Sequence, residues 1–210
     1  PTARSTSSWC WKENGIVCYI VYRHALLTQD ESWLAEHWYV LQNLVRAIQD
    51  LRIRSRSRPD APEAGLMPPG FPDGGIGGCV PEYTNVYWNL AGLRAAVEAA
   101  RYRRVITVET TAWEAEYESF LDAFRRAARR DARKSEDGRL YLPILMKEDP
   151  SVDPVRGQWG FCHAVYPGKI FEKDDPLAVG NLALLDSRQS EGLVLGTGWM
   201  ADGIWNYFAS

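Results

Sequence analysis

The chain has 210 residues, of which 46% are hydrophobic and 24% charged, with a formal net charge of −3. That length and apolar content suffice for one domain with a full core, and the slight acidity excludes a global field for nucleic acid. No run approaches the roughly 18–20 uninterrupted apolar residues of a membrane span, and no signal-peptide pattern is visible, which says little for a chain that opens on Pro1.

Helical periodicity dominates the pattern. Residues about 15–28 place Val17, Ile20, Val21, His24 and Leu27 on one face. Asp30 then caps a second helix, whose stripe runs Leu34, Trp38, Leu41, Val45, Ile48 and Leu51. The turn between the two is short, which predicts an antiparallel hairpin. Arg52, Arg54, Arg56 and Arg58 follow. They read as a solvated helix C-terminus, where cations suit the dipole, in preference to a nucleic-acid patch.

Next comes a long Gly/Pro segment, Gly65-Leu-Met-Pro-Pro-Gly-Phe-Pro-Asp73-Gly-Gly-Ile-Gly-Gly78, leading to Glu82-Tyr-Thr-Asn-Val-Tyr-Trp88. Loops of this length are uncommon in compact domains unless they are functional or disordered. Leu66, Met67, Phe71 and Ile76 supply apolar anchors, so the expectation is a rigid, functional loop. A third helix spans about 83–101, with Tyr83, Val86, Tyr87, Leu90, Leu93 and Val97 buried. Val105–Val108 looks extended. A fourth helix is predicted to start at Thr111, with Glu114 at capping-box spacing; acids crowd its start and arginines its end, as the dipole favours.

A short helix near 155–166 carries Trp159, Phe161, His163 and Val165. Asp175-Pro176 is an N-cap with Pro at N1, opening a helix through Leu185. A seventh helix begins near Ala201-Asp202-Gly203. Connections alternate: short at 28–31, 102–110 and 167–175, long at 57–82, 135–154 and 190–201. In an antiparallel array the long ones emerge at one end, at the N-termini of the first helices of each pair. Loops on a rigid scaffold carry function, so the site is expected from Trp9–Glu13, 65–82, 150–163 and 190–203.

Cys10, Cys18, Cys79 and Cys162 form no C-x-x-C pair and read as free thiols of a reducing, cytoplasmic compartment, a Cys10–Cys18 bridge being the other reading. The sequence has three histidines and no H-E-x-x-H, nucleophile elbow or Walker A motif, so neither metal nor cofactor is expected. Gly196-Thr-Gly-Trp-Met-Ala201 matches a dinucleotide fingerprint but lacks a βαβ setting.

Pro69-Gly-Phe-Pro-Asp-Gly-Gly75, Glu82-Tyr-Thr-Asn-Val-Tyr-Trp88, His163-Ala-Val-Tyr-Pro-Gly168, and Thr197-Gly-Trp199 leading to Trp205-Asn-Tyr-Phe208 together resemble the six-hairpin glycosidases. These are the (α/α)6-toroid families that include α-L-rhamnosidases and glucoamylase-like enzymes. The resemblance implies an all-α fold, an α/α toroid of antiparallel helical hairpins, with an inner ring of helices around a funnel. About half of such a toroid is represented, so residues 1–210 are expected to form one domain within a larger catalytic unit and to self-associate when expressed alone. The implied partner is an oligosaccharide or glycoside.

Glycoside hydrolysis needs a general acid and a base or nucleophile, an inverting pair standing roughly 6.5–9.5 Å apart. Glu13, Asp73, Glu82 and Asp202 are the acids at the long-loop end. Asp73, Glu82 and Asp202 are the catalytic candidates; the alternatives are an Asp-Gly turn, a first-turn acid and an N-cap. Trp11, Trp88, Trp159 and Trp199 are candidate sugar-stacking surfaces, and His163 a donor to a sugar hydroxyl or a satisfied buried histidine. The competing functions are a non-catalytic carbohydrate-binding or scaffold module and a polysaccharide lyase using His163 and Tyr166.

Overall fold

A computed structural model describes residues 9–198 and Gly203. The described chain is mostly helical, with α1 at Lys12–Thr28, α2 at Glu31–Glu36, α3 at Trp38–Arg56, α4 at Thr84–Tyr102 and α5 at Val108–Asp131. A 3-10 turn at Gln158–Phe161 runs into α6 (Cys162–Val165), and α7 spans Pro176–Asp186. Two antiparallel ribbons complete it, β1 (Arg133–Lys134) with β2 (Leu140–Tyr141) and β3 (Gln189–Ser190) with β4 (Leu193–Val194).

The local signals explain most boundaries. Asp30 Oδ1 accepts the Trp33 N–H at 2.8 Å and starts α2. Asp175 accepts the Leu177 N–H at 2.8 Å, with Pro176 at the first position of α7. The helix expected to continue from Asp30 through Leu51 is broken at His37, between α2 and α3. There the imidazole stacks on Trp33, ring centroids 4.1 Å apart, and its Nδ1 lies 2.8 Å from the Trp33 carbonyl oxygen. The fourth helix begins at Val108 rather than Thr111. Its capping box is Thr107 with Thr110: Thr107 Oγ1 accepts the Thr110 N–H at 3.2 Å and Thr110 Oγ1 accepts the Thr107 N–H at 2.9 Å. Thr at both ends completes the reciprocal pair, one turn before the expected Thr111–Glu114 box.

The centre of the packing is α4, which lies chiefly on α1 and also packs on α5; α3 folds back on α1. Backbones meet where α1 and α4 cross. A Cβ on Gly15 would stand 1.9 Å from the Trp88 carbonyl oxygen, and one on Gly92 only 2.3 Å from Gly15 Cα. Leu41, Leu44, Val45 and Ile48 of α3 and Phe120 and Phe124 of α5 join the core, as do Tyr87, Leu90 and Leu93 of α4 and Tyr83 at its N-cap.

Arg52 departs from its expected solvated position. It is 1% exposed, donates to the Gly65 carbonyl at 3.0 and 3.1 Å, pairs with Glu116 and lies 4.4 Å over the Phe120 ring. Satisfied on all sides, this buried charge ties the end of α3, the start of the Gly/Pro loop and α5 together. All four cysteines are free thiols, so Cys10 and Cys18 are unpaired with each other. Among the described residues no helix is long and apolar enough to cross a membrane.

Candidate functional site

The site is built where the first turns of α1 and α4 stand side by side. Lys12 donates its backbone N–H to Asn85 Oδ1 at 2.8 Å, which fixes one helix start against the other. The loop between α3 and α4 is laid over this junction. Phe71 donates its N–H to Trp9 O at 2.9 Å, Trp11 Nε1 donates to Pro69 O at 2.9 Å, and Gly70 and Val80 exchange two bonds of 3.0 Å. Arg156 reaches across from the segment before the 3-10 turn, donating to Gly74 O at 3.0 Å and Gly75 O at 2.7 Å. Gly157 in turn donates its N–H to Thr197 O at 2.9 Å. Gly74 is required twice over. Its φ is +74°, and an added Cβ would stand 2.5 Å from Gly157.

Asp73 emerges from this lattice of bonds. Its carboxylate pairs with the Lys12 ammonium, the two side chains 13% and 18% exposed. A charged pair with restricted access to water is stronger than a surface one. The Asp73 charge reaches His163, where it raises the imidazole's proton affinity while Lys12 lowers it. Burial, with Lys12 acting in the same direction, outweighs Asp73 and pulls His163 below its ordinary value. His163 is therefore a neutral ring at physiological pH. Its centroid lies 4.6 Å from that of Trp88 and 5.7 Å from that of Trp159, and its Nδ1 has no hydrogen-bond partner among the described residues.

Glu82 corrects the expectation of a second acid facing a ligand. It is 3% exposed. One oxygen accepts the Thr84 N–H at 2.6 Å and the Thr84 hydroxyl; the other accepts the Asn85 N–H at 2.7 Å and the Asn85 side-chain amide. Burial pushes this carboxyl up from 4.5 to about 7, with the Thr84 and Asn85 bonds opposing and the Asp73 charge adding a further upward push. A raised value suits a general acid, but both oxygens are spent on the first turn of α4. Glu82 is the clamp of that helix start, and through Asn85 it sets the position of Lys12.

The aromatic candidates divide. Trp88 and Trp159 are half-buried around His163. Trp11 is a strut: its N–H holds the Pro69 carbonyl, and the Arg54 guanidinium lies 5.6 Å over its ring. Glu13 is exposed on the first turn of α1. Trp199 and Asp202 lie outside the described residues. Tyr166 donates or accepts at the Tyr19 hydroxyl, 3.1 Å away, rather than at His163.

Lys12, Asn85, Thr84 and Arg156 were not singled out by the sequence. Lys12 carried a usable signal. A cation in the first turn of a helix opposes the dipole, and such a residue calls for a nearby carboxylate. Among the described residues no group of His, Cys, Asp and Glu is arranged to hold a metal ion. Comparison of the chain with known protein families, curated proteins and solved structures finds no match.

Proposed function

We propose that this chain is part of a carbohydrate-active domain of the six-hairpin type, in which α1 and α4 are neighbouring inner helices of an α/α toroid and the junction at their N-termini faces a glycoside. Asp73 is the carboxylate that acts on the glycosidic bond or on its attacking water, and Trp88 and Trp159 offer apolar ring surface for the sugar. Lys12, Asn85 and Glu82 are positioning residues. The observation that carries this reading is the Asp73–Lys12 pair. Asp73 sits in a loop fastened from both sides and Lys12 on the first turn of α1, beside a neutral histidine that packs between two indoles. Aromatic faces and a few fixed polar groups are what a sugar site requires.

One observation favours a second reading, a binding module without turnover. Glu82 is saturated by its own helix, so the described residues present one accessible candidate acid rather than two.

Hydrolysis of a panel of oligosaccharides and aryl glycosides separates the two. If Asp73 is a catalytic acid or base, Asp73→Asn lowers turnover by about 10²–10⁴-fold with the fold intact. If Asp73 only closes a turn, the variant melts earlier and turns over normally per folded molecule. Saturable sugar binding by the wild type without hydrolysis assigns the binding module, and neither binding nor hydrolysis overturns both readings.

A further inference from the structure

A second concave site lies farther along α1 and α4, lined by residues of both helices C-terminal to the first turns that carry Lys12 and Asn85. The cavity encloses 160 Å³ between α1, α4 and the turn that follows α6. Tyr19, Tyr22 and Arg23 line it from α1, Arg94 and Glu98 from α4, and Tyr166 and Lys169 from the turn.

Its charges are unevenly used. Arg94 is committed, donating to Glu98 at 2.8 Å and to the Gly168 carbonyl at 3.0 Å, which also occupies the one carboxylate in the lining. Arg23 and Lys169 have no carboxylate partner among the described residues, although Arg23 is half-buried. The protein as a whole is net negative, so two unpaired cations in one hollow are a local reversal of sign. A half-buried arginine in a concave lining, with no carboxylate holding it, has its fork of N–H donors free for an anion.

The rest of the lining adds ring and hydroxyl chemistry. Burial raises the Tyr19 and Tyr22 phenols above their ordinary value of 10 while Arg23 lowers them, so they are neutral and present O–H groups at physiological pH. Tyr19 and Tyr166 hydroxyls already meet at 3.1 Å. Lys169 is held in left-handed backbone, φ +49°, by the bonds Lys169 N–H to Val165 O at 3.0 Å and Ile170 N–H to Ala164 O at 2.8 Å. At about 30 Å³ per water, 160 Å³ holds the equivalent of about five waters. That admits a carboxylate or phosphate and the first ring atoms attached to it, with the remainder toward solvent.

We propose that this cavity binds a small anionic sugar, its carboxylate or phosphate between Arg23 and Lys169 and its ring against Tyr22 and Tyr166. The site is separate from the Asp73 junction and does not depend on hydrolysis there. Tyr19 links the two, its ring centroid 6.3 Å from that of Trp88.

The test is calorimetric titration with glucuronate, glucose 6-phosphate and glucose at low salt. One or both anionic sugars bind, glucose does not, and added salt weakens the binding. Which anion is preferred identifies the source of the charge. Arg23→Gln and Lys169→Gln, each verified as folded by circular dichroism, weaken the affinity by about tenfold; Lys169 is exposed, so its variant folds even if the other does not. The proposal is overturned if neither anion binds up to about 10 mM, if glucose binds equally well, or if folded Lys169→Gln binds undiminished.

Discussion

Replacing Gly15 by Ala tests whether the α1–α4 crossing carries the molecule. In an ordinary helix interior this change stabilises by about 1 kcal/mol, because Gly loses more backbone entropy on folding. Here the added methyl would stand 1.9 Å from the Trp88 carbonyl oxygen and 2.3 Å from its carbon. Non-bonded heavy atoms settle near 3.5 Å, so the helices must part by about 1.5 Å. Overpacking typically costs about 1–3 kcal/mol, and the cost lies at the top of that range or above it when the opposing atoms are backbone and no side chain can turn aside. The net is a loss of at least about 2 kcal/mol, or about 4–8 °C in melting temperature for a chain of this size. Thermal and urea unfolding monitored by circular dichroism measure it. Gly92→Ala, whose methyl would meet Gly15 Cα at 2.3 Å, should lose stability in the same direction. A Gly15→Ala variant as stable as the wild type, or more so, refutes the close crossing.

Three further substitutions test the clamps. Glu82→Gln removes a carboxyl raised from 4.5 to about 7 on folding. The folded state therefore binds more protons between those values, and wild-type stability falls by up to about 3 kcal/mol as pH rises through that window. His163, whose value is lowered by burial, contributes with the opposite sign but cancels in the comparison. The stability difference should therefore move in favour of the variant from pH 4.5 to 7; a difference flat with pH rejects the buried-clamp account. Thr107→Ala should cost about 1 kcal/mol by removing the acceptor for the Thr110 N–H, whereas Thr111→Ala, which caps nothing, should stay within about 0.5 kcal/mol. Equal losses in urea melts would place the cap wrongly.

The helices were legible because their signals are local. The Asp175-Pro176 start and the Asp30 cap depend on residues within one turn, and the apolar stripes of α3 and α4 repeat at a period only a helix satisfies. The errors arose where two local signals competed or where a tertiary partner decided. Both Thr107 and Thr111 precede a residue able to close a capping box, and the two differ only in which backbone is extended; Thr107 has φ −132°. His37 looks like an ordinary helical residue until its ring finds Trp33. Arg52 sits in a basic run that reads as solvated, and no one-dimensional pattern reveals that Glu116, Gly65 and Phe120 converge on it.

Of the candidate site, the meeting of the loops was legible in the sequence, and the roles of its residues were not. The alternation of long and short connections pointed to the end where Trp9, the Gly/Pro loop and the Arg156–Gly157 segment are now joined by hydrogen bonds. Roles are harder because Asp73 and Glu82 have similar credentials in sequence: each lies in the long segment between α3 and α4, and each has aromatic residues nearby. Their separation is set by reach. Glu82 stands two residues before Thr84 and three before Asn85, so its carboxylate falls on the free N–H groups of its own helix. Asp73 lies too far along the loop to satisfy that helix and meets Lys12 instead. A carboxylate consumed by its own first turn fixes geometry. One matched to a cation from another element is available to a ligand able to compete for it, and Asp73 is for that reason the residue on which a functional test should begin.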